Sequence, residues 1–190
     1  LAPVPPDAVA RWAGVYQTDD GAATLILERR EGGLGLRLHR AEARLGLAAD
    51  GALADAGGWF RVSGNGEEAS VVMGRGAAPR MMRRVPPSPE DGGVADVCGV
   101  YRSAELGARY RIAPRDGALW AEIEGPWGGG GSLPLIARAL NVFEAARPDA
   151  AGVPRPAGVT LAFRPGREGA LRMIVSTGGA EGLVFEGTGE

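Results

Sequence analysis

The residues that most often carry chemistry are scarce in this chain. All 21 basic residues are Arg, so lysine chemistry of every kind is excluded, including a Schiff base, a lysine general base and the Ser-x-x-Lys pair of some serine hydrolases. The chain holds one histidine, His39, and one cysteine, Cys98. We interpret His39 as a solvated side chain on the outward face of a strand. Neither an internal disulfide nor a Cys/His zinc site can form from these two residues.

Carboxylate pairs and a glycine-rich segment offer no better catalytic site. The acidic pairs are Asp19–Asp20, Glu67–Glu68 and Glu90–Asp91, each in a Gly- or Pro-rich turn where charges are solvated. The segment "GPWGGGGS" at 125–132 lacks the following helix and Lys of a phosphate loop, so we interpret it as a hairpin tip that exposes Trp127. We therefore predict no catalytic residues, no metal and no cofactor in this chain.

One segment has an unusual length for a connection. Residues 145–159, "AARPDAAGVPRPAGV", separate two predicted strands, and loops this long are commonly functional or disordered. The segment carries Arg147, Asp149 and Arg155. A mobile surface loop and a loop that reaches a neighbouring domain or subunit both remain possible at this point.

The elements around these residues follow a repeated pattern. "AGVYQT" at 13–18 returns as "CGVYRS" at 98–103, and period-two alternation with frequent turn signals predicts eight short strands after each phrase. The first set is predicted at 13–18, 23–29, 34–39, 43–47, 52–54, 59–63, 70–74 and 80–85. The second set is predicted at 98–103, 109–113, 118–124, 132–137, 140–145, 159–164, 170–175 and 182–187.

Short antiparallel strands joined by hairpin-length turns favour closed up-and-down barrels, which leave no exposed sheet edge. The predicted fold class is thus all-β, with two consecutive eight-stranded antiparallel, lipocalin-like barrels. The predicted domains are 8–86 and 98–190, joined by a Pro-rich linker at 87–97. Helices are predicted only as short pieces, at 5–15 with Asp7 as the N-cap and at 134–140.

The second half resembles a known family in three stretches, "GVYRSAELGARYRIAPRDGALWAEIEG", "LPLIARALNVFEA" and "GVTLAFRPGREGALRMIVSTGGAEGLVFE". These are similar to the C-terminal lipocalin-like barrels of D-aminopeptidase and other β-lactamase-fold serine hydrolases. The resemblance implies that the catalytic motifs lie upstream, and that residues 146–158 match a loop that restricts substrate access to the peptidase active site. Arg147, Asp149 and Arg155 are then the candidate gating residues.

The first hypothesis is accordingly a non-catalytic accessory module that packs on an upstream serine hydrolase domain of the same polypeptide. The opening "LAPVPP", without an initial Met, fits a piece of a longer protein. A lipocalin-like module that binds a small ligand and an oligomerisation domain, with Trp120 or Trp127 in a homodimer contact, are the alternatives. The net charge of −2 predicts no nucleic-acid or membrane partner, and the single cysteine fits a cytoplasmic protein without excluding the periplasm.

Overall fold

A computed structural model describes residues 1–31, 33–39, 41–64, 66–74, 79–88, 94–126, 130–166 and 169–189. The chain divides into two compact units, Leu1–Pro87 and Ser88–Glu190. Each unit contains a closed barrel of eight antiparallel strands in which neighbours in sequence pair with one another. The predicted fold class is therefore confirmed.

In its described residues, the first unit contains an α-helix, a 3-10 helix and eight strands. Helix α1 spans Pro6–Trp12 and a short 3-10 helix spans Gly66–Glu68. The strands are β1 (Gly14–Gln17), β2 (Thr24–Arg30), β3 (Gly33–Leu38), β4 (Ala41–Leu47), β5 (Leu53–Asp55), β6 (Phe60–Ser63), β7 (Ser70–Met73) and β8 (Arg80–Arg84). Pairing of β8 with β1 closes the barrel.

The second unit begins with a 3-10 helix at Val94–Val97. Its strands are β9 (Gly99–Ser103), β10 (Ala108–Arg115), β11 (Ala118–Glu124), β12 (Gly131–Ala139), β13 (Val142–Pro148), β14 (Pro154–Pro165), β15 (Leu171–Thr177) and β16 (Leu183–Gly187). Pairing of β16 with β9 closes this barrel. All sixteen predicted strands overlap strands of the structure.

Both barrels are filled by their own inward side chains. In the first, Trp12 of α1 joins a buried cluster of mostly aliphatic residues from the strands. In the second, aromatic rings pack edge to face, with Phe163 at 5.3 Å from Tyr101 and 5.7 Å from Phe143 between ring centroids. Buried apolar surface of this kind is the main stabilising contribution to such small domains.

The repeated Gly-Val-Tyr phrase makes the same local structure in both barrels. The hydroxyl of Tyr16 donates to the Trp12 carbonyl oxygen at 2.7 Å, and that of Tyr101 donates to the Val97 carbonyl oxygen at 2.9 Å. Each phenol thereby ties the first strand to the segment before it, while its ring stays in the core. The repeated phrase thus produces the same tyrosine hydrogen bond in each of the two barrels.

Several local predictions were wrong. Asp7 is not the N-cap of α1, because the helix begins one residue earlier at Pro6 and Pro5 occupies the cap without a side-chain hydrogen bond. The predicted helix at 134–140 is wrong, because residues 134–139 belong to β12, where pairing with β11 and β13 overrides the local helix signal.

His39 also differs from its prediction. The strand β3 ends at Leu38, and His39 follows in a turn with φ of 53° and is buried. Arg37 of β3, two residues before His39, is only 4% exposed, and its Nε lies 3.5 Å from Oε1 of Glu28. Residues on both faces of β3 are therefore buried.

Part of the predicted linker at 87–97 falls on residues 89–93, which lie outside the described residues, and Val94–Val97 are helical. Trp127 also lies outside them. The Trp120 ring packs against Arg115, whose guanidinium carbon lies 4.8 Å from the ring centroid.

Candidate functional site

The segment predicted as a long loop is a two-stranded arm of the second barrel. Strand β13 pairs with β12 only as far as Ala145, and β14 pairs with β15 only from Val159 onward. Beyond these points the two strands pair with each other alone, as far as Pro148 opposite Pro154. We call residues 146–158 the arm. Only 149–153 at its tip form a turn.

A bulge marks the base of the arm. Ala145 is paired with Val159, but the next residue, Ala146, is paired with Pro156, so Ala157 and Gly158 are extra on the β14 side. Gly158 adopts a φ of 72°, which favours glycine. Bulges bend a strand pair and increase its twist. The arm therefore leaves the barrel in a direction different from that of the strands that carry it.

Asp149 holds the tip of the arm together. Its Oδ1 accepts hydrogen bonds from the backbone N–H groups of Ala151 at 2.9 Å and Val153 at 3.0 Å. Its Oδ2 accepts from Nε of Arg155 at 3.0 Å. The hydrogen bond from Arg155, followed by that from the Val153 N–H, lowers the pKa of the Asp149 carboxyl below its ordinary value. The carboxylate thus serves as the acceptor for two backbone N–H groups of the turn, a common role of Asp side chains in turns.

The structure brings the three candidate gating residues together. Arg147 and Arg155 lie directly opposite each other on the paired strands, and Asp149 forms an ion pair with Arg155. Both arginines are exposed. Because the carboxylate is used within the turn, the arm presents a net positive charge from Arg147 to its surroundings. Its tip can attract anionic groups, but it carries no nucleophile.

Potential catalytic groups elsewhere are unsuited to that role. Burial raises the pKa of Tyr16 and of Tyr101 to about 12, so both phenols stay protonated at neutral pH. Desolvation also raises the pKa of the Cys98 thiol, which opposes formation of the nucleophilic thiolate.

The two predicted acidic pairs that the structure describes lie in separate turns. Asp20 accepts a hydrogen bond from the Thr18 hydroxyl within its own turn, and Glu67 and Glu68 lie exposed in the 3-10 helix. Glu90 and Asp91 lie outside the described residues. Within the described ranges, no group of three or more metal-ligating side chains is found.

The barrel interiors do not offer a lipocalin-type pocket in the part of the chain that the structure describes. The largest fully buried side chains include Tyr16, Phe143, Phe163 and Phe185, which belong to the two core clusters. The surface clefts, of about 320 to 480 Å³, are open to solvent and lie against charged residues such as Arg30 and Arg109. No helix in the described ranges has the length and apolar character needed to cross a membrane.

Sequence reasoning missed one buried ion pair near the arm. Glu144 of β13 is 1% exposed, and its Oε2 lies 2.7 Å from Nη2 of Arg138 on β12. Alternation along β13 places Glu144 on the outward face, since Phe143 and Ala145 belong to the core. Periodicity reports the face of a strand but not whether that face is covered, so the sequence held no signal for this burial.

A family model described as "D-aminopeptidase, domain B" matches residues 6–178, which span most of both barrels. No curated protein matches the chain.

Proposed function

Because the chain belongs to the D-aminopeptidase domain B family, we propose that it is a non-catalytic accessory module of a peptidase. In this proposal the catalytic machinery lies in a serine hydrolase domain of the β-lactamase fold in the same polypeptide. The observation that supports it is the family match over both barrels, joined to the lack of a catalytic or metal-binding cluster among the described residues.

We further propose that the arm restricts which substrates reach the active site of that peptidase. An arm that pairs only with itself can extend away from the barrel that anchors it, and its bulged base sets its direction. The hydrogen bonds of Asp149 hold the tip in one conformation, so the tip can exclude larger substrates by occupying space. Arg147 adds a positive charge that favours substrates with a free carboxylate.

The test compares the parent peptidase with a variant in which residues 147–157 are replaced by a two-residue Asn-Gly turn, which joins antiparallel strands directly. The readout is the ratio of kcat/KM for a longer peptide to kcat/KM for a dipeptide. Removal of the arm should raise this ratio by at least about tenfold, since longer peptides that the arm excludes can then bind in the active site. A control variant shortens the 178–182 turn between β15 and β16.

Two results would contradict the proposal, each for a different part of it. An unchanged ratio in the arm variant would remove the gating role while leaving the accessory role intact. Peptidase or esterase activity of purified residues 1–190 would remove the accessory role itself. The filled interiors of the barrels do not support the alternative of a lipocalin-like ligand carrier. The alternative of a homodimer predicts that the sedimentation of the chain depends on its concentration.

A further inference from the structure

The strand ladder is interrupted on both sides of β13 near the base of the arm. On the β14 side, Ala157 and Gly158 are the extra residues of the bulge. On the β12 side, the register shifts between Ala137 and Ala139, so Arg138 is an extra residue there. Bulges bend a strand and change the direction of its side chains. The backbone pairing alone therefore does not fix the direction in which β13 continues into the arm.

Glu144 lies on β13 between these two irregularities. Its direct partner on β14 is Thr160, and the bulge of β14 begins beyond the next pair. The Oε2 atom of Glu144 accepts a hydrogen bond from Nε of Arg138 at 2.8 Å and lies 2.7 Å from Nη2 of the same guanidinium. Charge-assisted bonds of this kind fix orientation as well as distance. The extra residue of β12 thus holds the strand that leads directly into the arm.

This ion pair is costly to bury. The side chain of Glu144 is 1% exposed and that of Arg138 is 25% exposed. Loss of hydration can cancel the attraction of such a pair, and apolar residues of similar volume are often equally or more stabilising. Thr160 adds a buried hydroxyl for which the described residues offer no hydrogen-bond partner. The stability of the barrel alone does not explain these polar residues, whereas a role in specifying one conformation does.

The first barrel provides a comparison without an arm. Its fifth and sixth strands, β5 and β6, hold the places that β13 and β14 hold in the second barrel, and residues 56–59 alone join them. Leu53 and Val62 of these strands belong to the core, so the outward pair is Ala54 opposite Arg61. Neither member of this pair is buried. The same fold is thus built without a buried charge in β5 or β6 where the connection is short.

We propose that the Arg138–Glu144 ion pair is the positioning element of the arm, which holds β13 in one direction where the two bulges interrupt the ladder. Its consequence for substrate choice rests on the proposed function, because the arm excludes longer substrates only while it points at the active site. Glu144 acts through the position of the arm and not on the reacting atoms. Its effect should therefore appear in the binding of longer substrates and not in the cleavage step.

The first test measures the direction of the arm in the intact 190-residue chain. Nitroxide labels on the exposed native Cys98 and on Ala151→Cys at the exposed tip report one distance by pulsed electron paramagnetic resonance. Glu144→Gln keeps the side-chain shape and removes the charge, and it should broaden the distance distribution by at least about twofold. The matched control, Glu124→Gln, removes the carboxylate of an exposed ion pair with Arg109 on the same barrel and should leave the distribution unchanged.

A second variant separates positioning from stability. Arg138→Met combined with Glu144→Met removes both charges, so that neither is left buried without its partner. Its denaturation midpoint should be no lower than that of Glu144→Gln, and its distance distribution should still broaden. A role confined to stability predicts instead a stable double variant with the distribution of the parent. This variant decides the question if circular dichroism shows that Glu144→Gln does not fold.

The second test measures selectivity in the parent peptidase. Glu144→Gln should lower KM for the longer peptide, because the displaced arm no longer excludes it. The ratio of kcat/KM for the longer peptide to that for a dipeptide should rise by at least about threefold, which is less than the effect of removing the arm. The kcat for the dipeptide should stay within about twofold of the parent value, since a residue that acts through the arm does not change the cleavage step.

The outcomes distinguish this proposal from the gating role itself. A double variant with the distance distribution of the parent, or an equal broadening in Glu124→Gln, would overturn the positioning role. A broadened distribution with an unchanged ratio would overturn the consequence for selectivity if removal of residues 147–157 does change that ratio. If this removal also leaves the ratio unchanged, the gating role fails, and a broadened distribution still supports the positioning of the arm by the ion pair.

Discussion

The Tyr101→Phe variant should be less stable than the parent protein near pH 8 and more stable than the parent protein at high pH. Tyr101 is 2% exposed and donates a hydrogen bond to the Val97 carbonyl oxygen at 2.9 Å. At pH 8 the variant loses this bond, so its free energy of unfolding should be lower by about 1 kcal/mol. At high pH the same hydroxyl lowers the free energy of unfolding, because the phenol ionises less readily when it is buried than in the unfolded chain.

The size of the alkaline effect follows from the pKa of Tyr101. Burial raises this pKa from 10.0 to about 12, and each unit corresponds to about 1.4 kcal/mol. A group whose pKa is raised by folding stabilises the protein below its unfolded pKa and loses that contribution as the pH rises to its folded pKa. The parent should thus lose about 2 kcal/mol between pH 10 and pH 12 through this residue. At pH 12 the variant should then be the more stable protein by about 1 kcal/mol.

Urea denaturation at intervals from pH 8 to pH 12, followed by near-ultraviolet circular dichroism, measures the difference. The control is Ile112→Val in the same core, which should cost about 1 kcal/mol at every pH because it removes no titrating group. Other ionising groups, Tyr110 among them, are common to both proteins and cancel in the difference. A Tyr101→Phe difference that stays constant across this range would show that the phenol is not buried in the folded protein, and the reasoning would fail.

Three further predictions concern packing and the arm. Gly14→Ala should destabilise the first barrel more than Gly99→Ala destabilises the second. An added Cβ would lie 2.9 Å from Nε of Arg84 at Gly14 but 3.9 Å from the Tyr101 ring at Gly99. Equal denaturation midpoints for the two variants would contradict this prediction. Phe163→Ala should lower the free energy of unfolding by about 3–5 kcal/mol, whereas Val184→Ala, 42% exposed, should change it by less than about 0.5 kcal/mol. Because the pKa of Asp149 is lowered, its stabilisation of the arm should persist above its ordinary pKa and be lost as the pH falls through the lowered value. Hydrogen exchange of the Val153 amide should then speed up relative to its intrinsic rate. The Asp149→Asn variant should show a weaker pH dependence of this exchange.

The strands were predictable because the signals that define them are local. Alternation along segments such as β11 and turn residues such as Asp116–Gly117 set both the face and the limits of each strand. The repeat of the Gly-Val-Tyr phrase then implied two copies of one barrel. These features depend on neighbouring residues, so a single sequence carries them.

The errors concern features that depend on distant residues. The segment 134–140 has helix-forming residues, yet its pairing partners on β11 and β13 make it a strand. The arm was read as a loop because prolines at 148, 154 and 156 interrupt the strand pattern, although its strands pair across a turn that Asp149 stabilises.

The arm also has to remain in solution without joining another sheet. A two-stranded ribbon exposes both of its edges, and exposed edges are templates for aggregation through added strands. Pro148, Pro154 and Pro156 lack the backbone N–H that an incoming strand would need, and Arg147 and Arg155 repel a second arm of the same kind. The residues that made this segment look unstructured in sequence are thus those that protect it from fibril-like association.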